Sequence, residues 1–139
     1  MDYLGGYAER GLVAERIVKA ALLALAAAAL LGAIYYVFFR NWREELQARR
    51  FFGLLQEQEY EDAYSLWGCS VAEPCRYYPF EEFLEDWGPE APYGSLDSFS
   101  IGRSFTLATG VRLRYSINGR EGPPLWIDRD PYRISFAPD

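Results

Sequence analysis

The side chains able to do chemistry in this sequence are few, and the absent ones narrow the field first. There is no histidine. That removes the commonest general base and metal ligand, every His-based triad and His ligation of haem. Two cysteines, Cys69 and Cys75, cannot alone make a Cys-only zinc site or hold an iron–sulfur cluster. They stand six apart with Ser-Val-Ala-Glu-Pro between them, which is not the Cys-x-x-Cys of a thiol redox site. The spacing suits a disulfide closing a short loop, worth about 2 kcal/mol; two free thiols in a reducing compartment are the alternative. The disulfide is the expectation, and it places this part of the chain on the oxidising side of a membrane.

Arg103 interrupts an apolar alternation. Strict period two puts it with Phe99, Ile101, Phe105 and Leu107. An arginine on such a face needs a carboxylate or a watery pocket. Two readings stay open. Arg103 is the polar anchor for an anionic ligand in a cavity with Phe99, Ile101, Phe105 and Tyr115, or Gly102 makes a bulge that turns it to solvent. Acids crowd two places, Glu57, Glu59, Glu61 and Asp62, then Glu81, Glu82, Glu85, Asp86 and Glu90. Carboxylates suit a divalent cation, but neither cluster has a calcium-loop pattern. They read as solvated acidic faces able to steer a basic partner. No metal and no cofactor is expected.

These groups sit in a chain of 139 residues with 14 basic and 20 acidic side chains, a formal charge of −6. A pI near 4.7 argues against nucleic acid as a partner, because phosphate binding needs a basic surface. The length suits one small domain plus an attachment.

The attachment is plain. From Ala20 to Phe39 there are 20 residues without a charge, bounded by Arg16 and Lys19 on one side and Arg40 and Arg43 on the other. As a helix they span roughly 30 Å, the hydrocarbon thickness of a bilayer. Tyr35, Tyr36 and Trp42 suit an interfacial aromatic belt. A cleaved signal peptide would have a shorter apolar run ending in small residues, whereas this one ends in Tyr-Tyr-Val-Phe-Phe-Arg. A buried soluble helix fits poorly with an uninterrupted run flanked by arginines. We therefore expect a transmembrane helix over residues 17–40 and partnership with the lipid bilayer. Residues 1–16 are expected as a tail, because Gly5, Gly6 and Gly11 weaken any helix before Leu12. Ala20, Ala24, Ala28 and Gly32 recur every four residues and line one face, where small side chains let another helix approach closely. The flanking positive charges are nearly balanced, so orientation rests on the cysteines. The expectation is a cytoplasmic N-terminus and a periplasmic or extracellular domain in a bacterial cell.

Residues 41–139 form the soluble domain and hold 10 arginines against 17 acids. Apolar spacing predicts helices within residues 42–58, around Tyr60, Ala63, Tyr64 and Trp67, and around Phe80, Phe83, Leu84 and Trp87. From Leu96 the period changes to two. Strands follow over 97–107, 111–117, 125–127 and 132–136, with turns at Thr109-Gly110, Asn118-Gly119 and Asp128–Pro131. The fold class is α+β: one N-terminal transmembrane helix, then three helices packed on a curved antiparallel sheet.

The segment from Ala48 to Trp67, with its Tyr-x-x-Ala-Tyr at 60–64, resembles the opening helices of the nuclear-transport-factor-two-like superfamily. Tyr78-Pro-Phe-Glu-Glu-Phe-Leu resembles its third helix, and Pro131-Tyr132-Arg133-Ile134 its closing strand. The resemblance covers about residues 44–136 and implies a cone-shaped α+β domain. That fold hosts isomerases, dehydratases and non-enzymatic assembly domains alike. Its enzymes typically use Asp, His or Tyr in the cone, and this chain shows no matching acid–base set. The functional expectation is a non-enzymatic, single-pass accessory subunit of a larger membrane complex, with a respiratory or photosynthetic assembly among the hosts. Its partners would be other integral membrane subunits. The alternative is a membrane-tethered domain binding a small ligand in its cone.

Overall fold

The computed structural model describes residues 3–138, with side chains from residue 6 onward. The chain divides into two units that meet between Arg40 and Asn41.

The first unit is a single helix, α1, Tyr3–Phe39. The helix thus takes in residues that the glycines were expected to leave as a tail. The reason is cooperativity: the apolar run nucleates the helix, and each further residue toward the N-terminus adds one hydrogen bond. Isolated glycines then cost only about 1 kcal/mol each. Every side chain from Gly6 to Phe39 is exposed within the chain. Its best 18-residue window has a mean hydropathy of 2.3, none of it buried, and the helix is long and apolar enough to cross a membrane. At its C-terminal end Tyr35 stacks on Phe39 and the Arg40 guanidinium lies over the Tyr36 ring.

The second unit begins with α2, Trp42–Gln56, α3, Tyr60–Ser65, and α4, Phe80–Trp87. Strands β1, Phe99–Thr106, β2, Gly110–Ile117, β3, Arg120–Glu121, β4, Leu125–Asp128, and β5, Ile134–Phe136, follow. They make one antiparallel sheet in the order β1-β2-β4-β5, with β3 pairing on β2. This is the α+β architecture expected, and the helices pack on one face of the sheet. Gln58, at φ 61°, ends the α2 segment, and Gly68, at φ 86°, ends the turn that follows α3. β3 escaped the sequence reading because two residues carry no alternation.

The core is aromatic. Phe51, Phe52, Leu55, Tyr64, Trp67, Phe83 and Trp87 from the helical side meet Leu113, Tyr115, Ile117, Leu125, Ile127 and Ile134 from the sheet. Phe51 alone touches Phe52, Trp67, Phe83 and Trp87 edge-on, with ring centroids 5.1–6.2 Å apart. The edge of each ring meets the electron-rich face of the next, which is the favourable arrangement for aromatic pairs. The β2–β3 hairpin turns on Asn118 and Gly119, at φ 50° and 79°, the left-handed pair that a two-residue turn requires.

Candidate functional site

Of the five residues grouped around Arg103, Arg103 and Tyr115 line one surface cavity of about 290 Å³, with Arg114, Ser116 and Glu121; Phe99, Ile101 and Phe105 do not line it. Phe99 and Ile101 face Ile117 and Tyr115 across the β1–β2 ladder and pack against the core. Between Ile101 and Ser104 the register slips, so that β1 advances three residues while β2 advances two. This bulge reverses the alternation, since each extra residue moves all later side chains to the other face. Arg103 is exposed at the bulge. Phe105, opposite Arg112, emerges on the outer face of the sheet and is 46% exposed. Ser104 and Thr106 take the inward positions instead. The set therefore splits into Phe99, Ile101 and Tyr115 inside, and Arg103 and Phe105 outside.

The inward turn of Ser104 and Thr106 has a purpose that their sequence positions did not signal. The Asn41 amide donates to the Ser104 hydroxyl at 3.1 Å, and Thr106 donates to the Asn41 side-chain oxygen at 2.9 Å. Ser104 in turn donates to the Glu45 carboxylate at 2.8 Å. Glu44, only 5% exposed, lies 3.8 Å from the Arg129 guanidinium. Without the bulge Phe105 would face Asn41, and the seam could not form. The start of α2 is thus fastened to β1 and to the β4–β5 turn.

A small pocket of about 150 Å³ lies between α4 and the sheet. It is lined by Trp87, Tyr93, Tyr115, Phe136 and Asp86, with Pro92 and Pro123. The Tyr115 hydroxyl is buried beside Tyr93 without a well-directed hydrogen bond. Burial, and then the neighbouring Tyr93, push the Tyr115 phenol well above its usual range. Tyr78 is shifted the same way, by burial and by its 2.6 Å hydrogen bond to Asp86. Both are neutral phenols at physiological pH: hydrogen-bonding groups, not bases.

Cys69 and Cys75 lie at disulfide distance, their Cα atoms 5.2 Å apart, inside the usual range for a bridge. The loop they close is held from inside. Buried Tyr64 accepts a hydrogen bond from the Cys75 backbone at 2.9 Å and donates to the Tyr78 carbonyl at 2.7 Å. Ala20, Ala24, Ala28 and Gly32 lie along one exposed face of α1, and a methyl group built at Gly32 would meet nothing within 4 Å. Of the acids, Glu81, Glu85 and Glu90 line a surface groove of about 540 Å³ with Leu84, Pro89 and Pro92. Among the described residues no three His, Cys, Asp or Glu side chains gather as a metal site would require.

Compared with known proteins, the chain matches no protein-family model, no curated protein and no solved structure.

Proposed function

We propose that this chain is a single-pass, non-enzymatic accessory subunit of a larger membrane complex, with respiratory and photosynthetic assemblies as candidate hosts. The observation that carries the reading is α1: an apolar helix of membrane-spanning length in which no described side chain is covered by the rest of the chain. Lipid and neighbouring helices are what such a surface takes. The stripe of Ala20, Ala24, Ala28 and Gly32 supplies the close-approach face. The soluble domain is in keeping with the reading, because its core is built largely of packed aromatic rings and its best-placed tyrosines are neutral. The order of three helices and then a sheet is in keeping with a nuclear-transport-factor-two-like assembly domain. The Cys69–Cys75 pair supports a periplasmic or extracellular side for the domain.

The test is extraction of native membranes. The protein is expected to survive a carbonate wash at its full 16.0 kDa and to co-migrate in mild detergent with a stoichiometric set of membrane proteins. Release by carbonate removes the anchor, and migration as a free monomer removes the complex. A membrane-tethered small-ligand receptor is the second reading. It is favoured by the pocket beneath Tyr93, where the Tyr115 hydroxyl lacks a partner. Ligand-induced protection of Tyr115 from solvent exchange, with no co-migrating subunits, would support it.

A further inference from the structure

Three separate segments of the soluble unit meet where the chain enters it, and the inference rests on the membrane-anchor reading above. The first is Asn41-Trp42, one residue beyond Arg40 in the chain. The second is the β1–β2 turn, residues 107–109, tied to Asn41 through Thr106 at 2.9 Å. The third is the β4–β5 turn, whose Arg129 backbone donates to the Thr109 carbonyl at 3.1 Å and whose guanidinium lies near Glu44. Trp42 and Leu107 are exposed here, at 52% and 50%, and Phe105 is adjacent. Arg43 follows Trp42 in the chain, Arg112 lines a surface groove with Phe105 and Leu107 that Arg114, Glu121 and Pro124 share, and Arg129 stands in the β4–β5 turn; all three arginines carry accessible side-chain surface. Acids occur at this end too: Asp128 is paired with Arg133 and Glu121 with Arg114, while Asp130 is exposed in the β4–β5 turn. The densest acidic run lies elsewhere. Glu57, Glu59, Glu61 and Asp62 follow the far end of α2, about 22 Å away along a 15-residue helix. Glu44 and Glu45, at the near end, are already engaged by Arg129 and Ser104.

A helix that spans a bilayer leaves the next residues at its surface, so no linker separates Asn41 from the headgroups. Trp and Arg are the side chains that suit that layer: an amphipathic ring at headgroup depth, and a guanidinium that pairs with phosphate. An outward-facing Phe105 and Leu107 cost nothing there, whereas in water they are two unshielded apolar side chains. Charge adds a smaller pull: Arg43 and Arg112 form no salt bridge among the described residues and are attracted to an anionic surface, which repels the acidic run at residues 57–62. We propose that this end of the domain rests on the membrane that holds α1. Trp42, Phe105 and Leu107 sit in the headgroup region, and Arg43, Arg112 and Arg129 lie on the phosphates of anionic phospholipid. The domain then has a fixed posture, with its acidic face directed away from the bilayer.

The full chain in nanodiscs of phosphatidylcholine with phosphatidylglycerol tests this. A single cysteine carrying an environment-sensitive fluorophore is placed in turn at Ala108→Cys, Arg120→Cys and Tyr36→Cys, without reductant. Headgroup-proximal brominated lipid is the quencher. Emission is expected to be lost at positions 36 and 108 and kept at position 120, which lies beyond the opposite end of β2. Quenching at 108 should weaken when phosphatidylglycerol is left out. It should vanish in the Phe105→Ser, Leu107→Ser double variant, whose near-UV circular dichroism reports an unchanged core. Quenching at 36 but not at 108 overturns the docking while leaving the anchor in place. No quenching at 36 overturns the anchor and the docking together. Equal quenching at 108 and 120 overturns the fixed posture. Emission at 108 that responds to protein density and not to bromine assigns the surface to a second copy of the chain, and also overturns the proposal.

Discussion

Asn118→Gly isolates a set of hydrogen bonds that no other substitution reaches so cleanly. The Asn118 side chain makes four of them. Its oxygen accepts from the Asp97 and Ser98 backbone N–H groups, both at 3.0 Å. Its amide donates to the Tyr93 and Ser95 carbonyls at 3.1 and 2.9 Å. Together they clamp residues 93–98, the segment that carries Tyr93 into the pocket wall and leads into β1. Glycine keeps the left-handed conformation that residue 118 needs (φ 50°) and removes all four bonds. A typical hydrogen bond contributes a net 0.5–1.5 kcal/mol, and these are partly solvated, so the loss should be about 2–4 kcal/mol. The added backbone freedom of glycine and its ease at positive φ act in opposite directions and largely offset each other. For a unit of this size, 1 kcal/mol moves the midpoint by about 4–8 °C, so Tm should fall by at least about 8 °C. The assay is thermal unfolding of the detergent-solubilised full chain, followed by near-UV circular dichroism of the buried tryptophans. Asn118→Asp, which keeps the two accepting bonds and loses the two donated ones, should fall between glycine and the native residue. A glycine variant within about 0.5 kcal/mol of native would refute the reasoning, since four bonds cannot hold the segment and also be dispensable.

Four further outcomes are expected. Tyr64→Phe leaves the Cys75 N–H and the Tyr78 carbonyl without their bridging hydroxyl and should cost about 1–3 kcal/mol, read as a lowered denaturation midpoint. Ala24→Leu or Ala28→Leu should insert normally yet weaken association with the host complex, while Ala26→Leu, off the stripe, should be tolerated; native gels of detergent extracts would read this, and equal retention of all three variants would reduce α1 to a tether. An alkylating reagent should label neither Cys69 nor Cys75 until a reductant is added, and free labelling of the unreduced protein would remove the argument for topology. The raised phenols of Tyr78 and Tyr115 set an alkaline limit. Above pH 10.0, the ordinary tyrosine value, the unfolded chain loses protons that the folded one keeps, so stability is full below that pH and falls as pH rises. Tyr115→Phe should flatten the fall in a pH series of denaturation midpoints.

Local pattern alone carried much of this protein. The 20-residue uncharged run, the 3.6 periodicity of the helices around Tyr64 and Phe83, the alternation in β2 and the Asn118-Gly119 turn each write one element into adjacent residues. Such signals are readable because neighbours in sequence are neighbours on the same helix face or strand face. The boundary of α1 was less legible, because three glycines lower propensity locally while cooperativity acts over the whole helix. What tertiary structure decided was the inward side of β1. Alternation assigned Phe105 and Leu107 to the core and left Gly102 and Arg103 ambiguous; the bulge turned the end of the strand over, and Ser104 and Thr106 met Asn41 and Glu45. Those partners stand 59–65 residues apart in sequence, so no local window contains both. The same holds for the clamp of Asn118 and the pairing of Glu44 with Arg129. A side chain's type announces its appetite for a partner, but the partner is chosen only when distant segments close around one core.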